Sequence, residues 1–256
     1  MIPKTIIQLS KDQKLPQYVL NKLKSFTGDH WTYIHFTDDE IIEYLQINAV
    51  EEFPFIAEQF VKITSGPHKS DLFRYYYLYK NGGVYIDSDA VPISNINYLV
   101  ENYDFFTVNS ITAGSCFQGF IGSCSGHNIV KQALDHACSI DATLITKHYG
   151  IFTEQLDKII QESDKTKIKL LYEALSDLQI GNNKFIQTAI TYDLENLNAI
   201  LIHYFRTKII PKENVIHQVR AGDQNSMRPG AAIINNLSGE PYLIECQFDV
   251  TNNIKI

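Results

Sequence analysis

Lys69-Ser70-Asp71-Leu72-Phe73-Arg74-Tyr75, followed through Leu78-Tyr79 by Gly82-Gly83-Val84-Tyr85-Ile86-Asp87-Ser88-Asp89, is the stretch on which the reading of this chain turns. Ser65-Gly66-Pro67 supplies a cap candidate and a proline for a first helical turn. The pattern predicts a helix from His68 to about Lys80, stopped by Asn81-Gly82-Gly83. Val84 to Asp87 then reads as a short strand. Asp71 and Arg74 lie three apart and share a helix face. In an extended chain alternate side chains point the same way, so Asp87 and Asp89 face one side while Val84 and Ile86 face the core. The glycine turn brings the helix back beside the strand, and Asp71, Arg74, Asp87 and Asp89 converge on one pocket.

An isolated Asp-x-Asp is a weak signal, and an isolated Asp71–Arg74 pair on a helix is worth little. Their weight comes from being joined by one short turn. Two carboxylates at that spacing repel unless a cation or a proton lies between them. Hard oxygen ligands suit Mg²⁺ or Mn²⁺, ions commonly shared with substrate phosphates. Arg74 has the fork geometry for phosphate, and Asp71 is placed to accept hydrogen bonds from hydroxyl groups.

Upstream, Thr5–Leu9 reads as a buried strand, Tyr18–Phe26 as a helix, and Trp31–Phe36 as a second strand. Thr37 with Glu40 is a capping-box pattern that starts a helix over about 38–45. This alternation predicts an α/β fold whose first half, about 1–110, uses parallel strands. Downstream, strands are predicted at Phe105–Asn109, Gly119–Gly122, Ile200–Phe205 and Lys208–Ile210. Helices are predicted at His127–Cys138, Thr153–Glu162 and Lys184–Ile190. With no repeat, linker or low-complexity tract, residues 1–256 read as one domain, with 111–256 as its second half.

The formal net charge of −7 argues against a nucleic-acid or anionic-membrane binder. Core and strand positions account for most of the 15 Tyr and 14 Phe, and sugar-binding faces are the other use such aromatics have. The four cysteines form no CxxC pair, so a zinc site is not expected and reduced thiols are. No apolar run reaches membrane-spanning length and no signal-peptide pattern is present, which leads to the expectation of a cytoplasmic protein, or of the soluble catalytic part of a longer chain, without a transmembrane segment.

The 69–89 block resembles the DXD-motif sugar-transferase family, which includes the yeast initiating α-1,6-mannosyltransferase and bacterial capsular polysaccharide enzymes. Ile2 to Gln8 resembles that family's first strand, and Gly119 to His127 the strand and turn after its metal motif. The resemblance implies a GT-A fold, with a central mixed sheet flanked by helices. It also implies a UDP- or GDP-sugar donor, a glycan, lipid or protein acceptor, Mn²⁺ or Mg²⁺, and retention of anomeric configuration.

Residue by residue, it implies metal ligation by Asp87 and Asp89 and, from a late histidine after Pro211, by His217. Asp223 and Asn225 are lesser candidates. It implies catalytic roles for Asp71, Arg74 and Asp89. Around the donor it implies Ile7, Gln8, Asp71, Arg74, Tyr75, Gly83, Tyr85, Asp87 and Ser88. Ile7 and Ser10 stand where the family has His and an aromatic residue, and Trp31 is the substitute weighed for stacking on the base. Two rivals share the motif's chemistry: a metal-dependent nucleotide-sugar phosphohydrolase, and a binding module for sugar nucleotides or glycans without turnover.

Overall fold

The computed structural model describes residues 1–9, 17–88, 90–145, 147–179 and 185–206. Its elements, in chain order, begin with β1 (Thr5–Leu9), α1 (Gln17–Thr27), β2 (Thr32–Phe36), α2 (Asp38–Ile47) and α3 (Ile56–Lys62). Next come α4 (Gly66–Asn81), β3 (Gly83–Ile86), β4 (Ala90–Pro92), α5 (Asn97–Asn102), β5 (Phe105–Asn109) and β6 (Cys116–Ser123). The last are α6 (Asn128–Ser139), α7 (Ala142–Ile145), α8 (Ile151–Glu162), β7 (Ile168–Gln179), β8 (Phe185–Asp193) and β9 (Asn198–Arg206). The predicted strand 208–210 lies outside the described residues. Among the described residues no helix is long and apolar enough to cross a membrane.

The chain falls into two units. The first takes the described parts of 1–14, 30–87 and 97–170. Its strands run β2-β1-β3-β6-β5. β1 is parallel to both β2 and β3, while β6 is antiparallel to β3 and β5, so the sheet is mixed. The capping box at Thr37 forms as its spacing predicts: Glu40 N–H donates to Thr37 Oγ1 at 3.4 Å and Thr37 N–H donates to Glu40 Oε2 at 2.9 Å.

Helix α4 is the centre of this unit. Every residue from Asp71 to Leu78 is buried, so the helix is enclosed on all sides. Phe73, Tyr75, Tyr76, Tyr77 and Leu78 pack into one core with Ile7, Phe60, Tyr85, Leu134 and Leu156 from the surrounding elements. Gly82 (φ +70°) and Gly83 (φ +120°) turn the chain from α4 into β3. A Cβ on Gly82 would lie 2.8 Å from Ser125 N, and one on Gly83 would lie 3.0 Å from Thr5 O. Backbone crowding and left-handed φ together restrict both positions to glycine.

The second unit takes the described parts of 15–29, 88–96 and 171 onward. It contains α1 and the strands β7-β8-β9-β4, each antiparallel to the next. The helix predicted over Lys184–Ile190 is corrected here: Phe185–Asp193 is a strand, hydrogen-bonded to β7 on one side and β9 on the other. Its β-branched Ile186, Thr188, Ile190 and Thr191 suit a central strand.

Cys116, Cys124 and Cys138 are free thiols, as expected, and Cys246 lies outside the described residues. Burial pushes the Cys116 and Cys138 thiols up to about 12, which keeps them protonated and unreactive.

Candidate active site

Strand β3 ends at Ile86, and Asp87 emerges beside the middle of α4. The Asp87 N–H donates to Gly119 O of β6 at 2.7 Å, which fixes the backbone at that point. Arg74 Nη2 lies 3.2 Å from Asp87 Oδ1 and 3.2 Å from Asp71 Oδ1. The Arg74 side chain is only 3% exposed, against 11% for Asp71 and 14% for Asp87. Its guanidinium carbon sits 4.1 Å above the Tyr85 ring, a cation–π contact sheltered from water. Tyr85 shares the face of Asp87, as period two requires, and its hydroxyl donates to Asp87 Oδ1 at 2.9 Å. Three predicted residues, Asp71, Arg74 and Asp87, are thus brought together, with Tyr85 as floor and hydrogen-bond donor.

Two formal negative charges and one positive charge meet in this cluster, leaving one negative charge over. A buried guanidinium with two hydrogen-bonding partners is tolerated where a lone one would not be. The surplus charge and the carboxylate oxygens are a donor set of the kind a hard divalent cation takes.

The other predicted residues occupy distinct places. Gln8, 1% exposed, braces the site: its Nε2 donates to Asp87 O at 3.2 Å and its Oε1 accepts from the Tyr33 hydroxyl at 2.9 Å. Burial drives the Tyr33 phenol far above its ordinary value, so it stays a donor. Ile7 belongs to the core, and Gly83 is the packing glycine of the turn. Tyr75 is buried, and its hydroxyl donates to Gln118 Oε1 of β6. Burial, and then the Asp71 charge, raise that phenol well above its ordinary range. Ser88 is buried, with 2% of its surface exposed.

Trp31 is buried and donates from Nε1 to Asn97 Oδ1 at 2.8 Å, a structural role. Asp89, His217, Ser10, Asp223 and Asn225 lie outside the described residues. Among the described residues no group of three His, Cys, Asp or Glu side chains is arranged to hold a metal.

Three contributors escaped the sequence reading. Gln118 and Tyr33 reach the site across strands, and nothing local marks them. Gly119 does carry a signal, the Gly119-Phe120-Ile121-Gly122 repeat on a strand. A Cβ at Gly119 would fall 2.3 Å from Asp87 Oδ2, so the missing side chain makes room for the carboxylate.

Residues 14–106 match the family described as "Glycosyltransferase sugar-binding region containing DXD motif". Inositol phosphoceramide mannosyltransferase 1 of Schizosaccharomyces pombe is 26% identical over 156 residues, 59% of this chain and 47% of that protein. Inositol phosphoceramide mannosyltransferase 3 of the same yeast is 30% identical over 91 residues, 35% of this chain and 24% of that protein. The chain spans less than half the length of either relative. Among solved structures, the PaToxG glycosyltransferase shows a TM-score of 0.44 at 13% identity, covering 63% of this chain and 69% of that one. Over residues 14–106, therefore, the chain is similar to the sugar-binding region of the DXD-motif glycosyltransferases that its 69–89 block resembles.

Proposed function

We propose that this chain transfers a sugar from a nucleoside-diphosphate sugar to a hydroxyl acceptor, with retention of configuration, on a GT-A type fold. The observation that carries the reading is the buried Asp71–Arg74–Asp87 cluster over Tyr85, lying within the family's matched region. Arg74 is already oriented and desolvated, so it stabilises charge on a departing diphosphate without reorganising at the moment of reaction. Asp71 accepts hydrogen bonds from donor-sugar hydroxyls. Tyr85 and Gln8 hold Asp87 by side chain and by backbone carbonyl. Asp87, with Asp89 and His217, is the set that would hold Mn²⁺ or Mg²⁺, which when bound supplies Lewis-acid neutralisation of the diphosphate. Because the two relatives are named inositol phosphoceramide mannosyltransferases, a mannose donor and an inositol-containing lipid are the first to try.

A donor screen tests this. The protein is incubated with GDP-mannose, UDP-glucose, UDP-galactose and UDP-N-acetylglucosamine, with Mn²⁺, Mg²⁺ or EDTA, and released nucleotide is measured. Asp87→Asn and Asp89→Ala run alongside. One donor consumed only with metal, and only by the unsubstituted chain, is the expected result. No donor bound or consumed under any metal overturns the reading.

A further inference from the structure

The β1–β3 ladder closes on the pair Ile7–Tyr85, whereas β1 stays paired with β2 as far as Leu9–Phe36. Past Tyr85, β3 remains with β6: Ile86 pairs with Phe120, and the Asp87 N–H donates to Gly119 O at 2.7 Å. On the β1 side a side chain carries the link. Gln8 Nε2 donates to Asp87 O at 3.2 Å, and Gln8 Oε1 accepts from the Tyr33 hydroxyl at 2.9 Å. Gln8, Tyr33, Asp87 and Gly119 all belong to the first unit.

A peptide group is planar, so the carbonyl of Asp87 and the nitrogen of Ser88 turn together. Gly119 holds the plane before the Asp87 Cα, and Gln8 holds the plane after it. Both backbone dihedrals of Asp87 are thereby set, and with them the direction in which its side chain leaves the backbone. Gln8 is 1% exposed, so it acts on the site through Asp87.

This hold depends on which end of the Gln8 amide faces Asp87. The two ends are alike in shape and opposite in polarity: the nitrogen donates and the oxygen accepts. A backbone carbonyl accepts only, so a turned amide would set oxygen against oxygen. Tyr33 opposes that turn. Register pairs Gln8 with His35, and Tyr33, two residues earlier, shares that face of β2. Its phenol brings a proton to the oxygen end of the amide. Burial lifts the phenol far above its ordinary value, so the proton stays.

We propose that Tyr33 is a positioning residue of the transferase site: by fixing the orientation of the Gln8 amide, it sets the Asp87–Ser88 peptide and so aims the Asp87 carboxylate. This rests on the proposed transferase reading and deepens it. Tyr33 touches neither Asp87 nor a substrate in this role, and its whole effect passes through Gln8.

Tyr33→Phe, Gln8→Met and the double variant test that chain of contacts. The first readout needs no ligand: amide nitrogen relaxation at Ser88, the other edge of the clamped peptide. It should match the β3 residues in the wild type and depart from them in all three variants. The second is nucleotide release from the donor found in the screen. Tyr33→Phe should slow it about five-fold, and Gln8→Met about 100-fold. Adding Tyr33→Phe to Gln8→Met should slow it no further.

Urea unfolding separates positioning from support. Gln8→Met leaves the phenol without its acceptor and should lose stability. The double variant, with both partners gone, should recover part of that stability and none of the turnover. Ser88 relaxation or turnover in Tyr33→Phe equal to the wild type overturns the proposal. So does equal slowing by Tyr33→Phe in both backgrounds, or turnover that returns with stability in the double variant. The expected change at Ser88 in a protein that consumes no donor sinks the transferase reading and leaves the peptide clamp standing.

Discussion

Replacing Gly119 by alanine should disable the site from behind without removing any charged group. The added Cβ would lie 2.3 Å from Asp87 Oδ2 and 2.4 Å from the Phe117 ring. A carbon and an oxygen approach no closer than roughly 3.3 Å even in a favourable C–H···O contact, so one of them must move by about 1 Å. The backbone of Gly119 cannot yield easily, because its carbonyl holds the Asp87 N–H at 2.7 Å. The carboxylate moves instead. Its contacts with Arg74 at 3.2 Å and with the Tyr85 hydroxyl at 2.9 Å are then stretched toward the limit of hydrogen bonding.

A misplacement of about 1 Å in a positioned group costs on the order of 100-fold in rate. Overpacking against Phe117 should cost about 1–3 kcal/mol of stability. Nucleotide release from the donor found in the screen measures the first, and urea unfolding the second. Gly66→Ala, where a Cβ meets nothing within 4 Å, is the control and should behave as the wild type. Full turnover by a folded Gly119→Ala protein would refute the view that the Asp87 carboxylate must be held where it is.

Other outcomes follow from the same contacts. Tyr85→Phe keeps the ring beneath Arg74 but removes the donor to Asp87; a hydrogen bond to a charged group is worth about 1.5–3 kcal/mol, so urea unfolding should show a loss near the lower figure. Thr37→Ala removes one half of the capping box and should cost about 1 kcal/mol in the same assay, with no change in donor consumption. His127 caps α6 by accepting the Ile129 N–H at its Nδ1, and burial holds its pKa below the ordinary value. A depressed histidine pKa means the unfolded chain takes the proton first. Its contribution is therefore whole above about pH 6.5 and fades as the pH falls below that. His127→Asn, a cap that does not titrate, should flatten the fall of thermal midpoint between pH 7 and pH 5. Some slope should remain from His136, which burial depresses likewise.

The 69–89 block was legible because its signals are local. A proline near a helix start, a glycine pair at its end and a period-two run after it each act within a few residues, and together they placed Asp71, Arg74 and Asp87. What reaches the site from elsewhere was not legible. Gln118 and Tyr33 are neighbours of Tyr75 and Gln8 only through tertiary and strand pairing, and no spacing within one segment encodes such a meeting.

The 184–190 segment shows a different failure. Phe185, Ile186, Ala189 and Ile190 recur at helical intervals, but the strand they form is central in its unit, with a hydrogen-bonded partner on each side. A short apolar run of this kind cannot be told from a helix by periodicity alone, so periodicity pointed to the wrong element. β7 was not read at all, and Lys169, 2% exposed within it, shows how a charge at a buried position hides a strand from hydropathy.

The paired glycines at 82 and 83 also set the phase of everything after them. Close approach to Thr5 and Ser125 pins the start of β3, and the side chains then count off alternately: Tyr85 and Asp87 to the pocket, Val84 and Ile86 to the interior. A single inserted or deleted residue between Gly83 and Asp87 would exchange the two sets, sending a carboxylate into the core and an isoleucine into the pocket. Related chains can thus vary in side chain along this interval far more readily than in length. The distance from glycine pair to aspartate is a stricter signature than the identity of the residues between them.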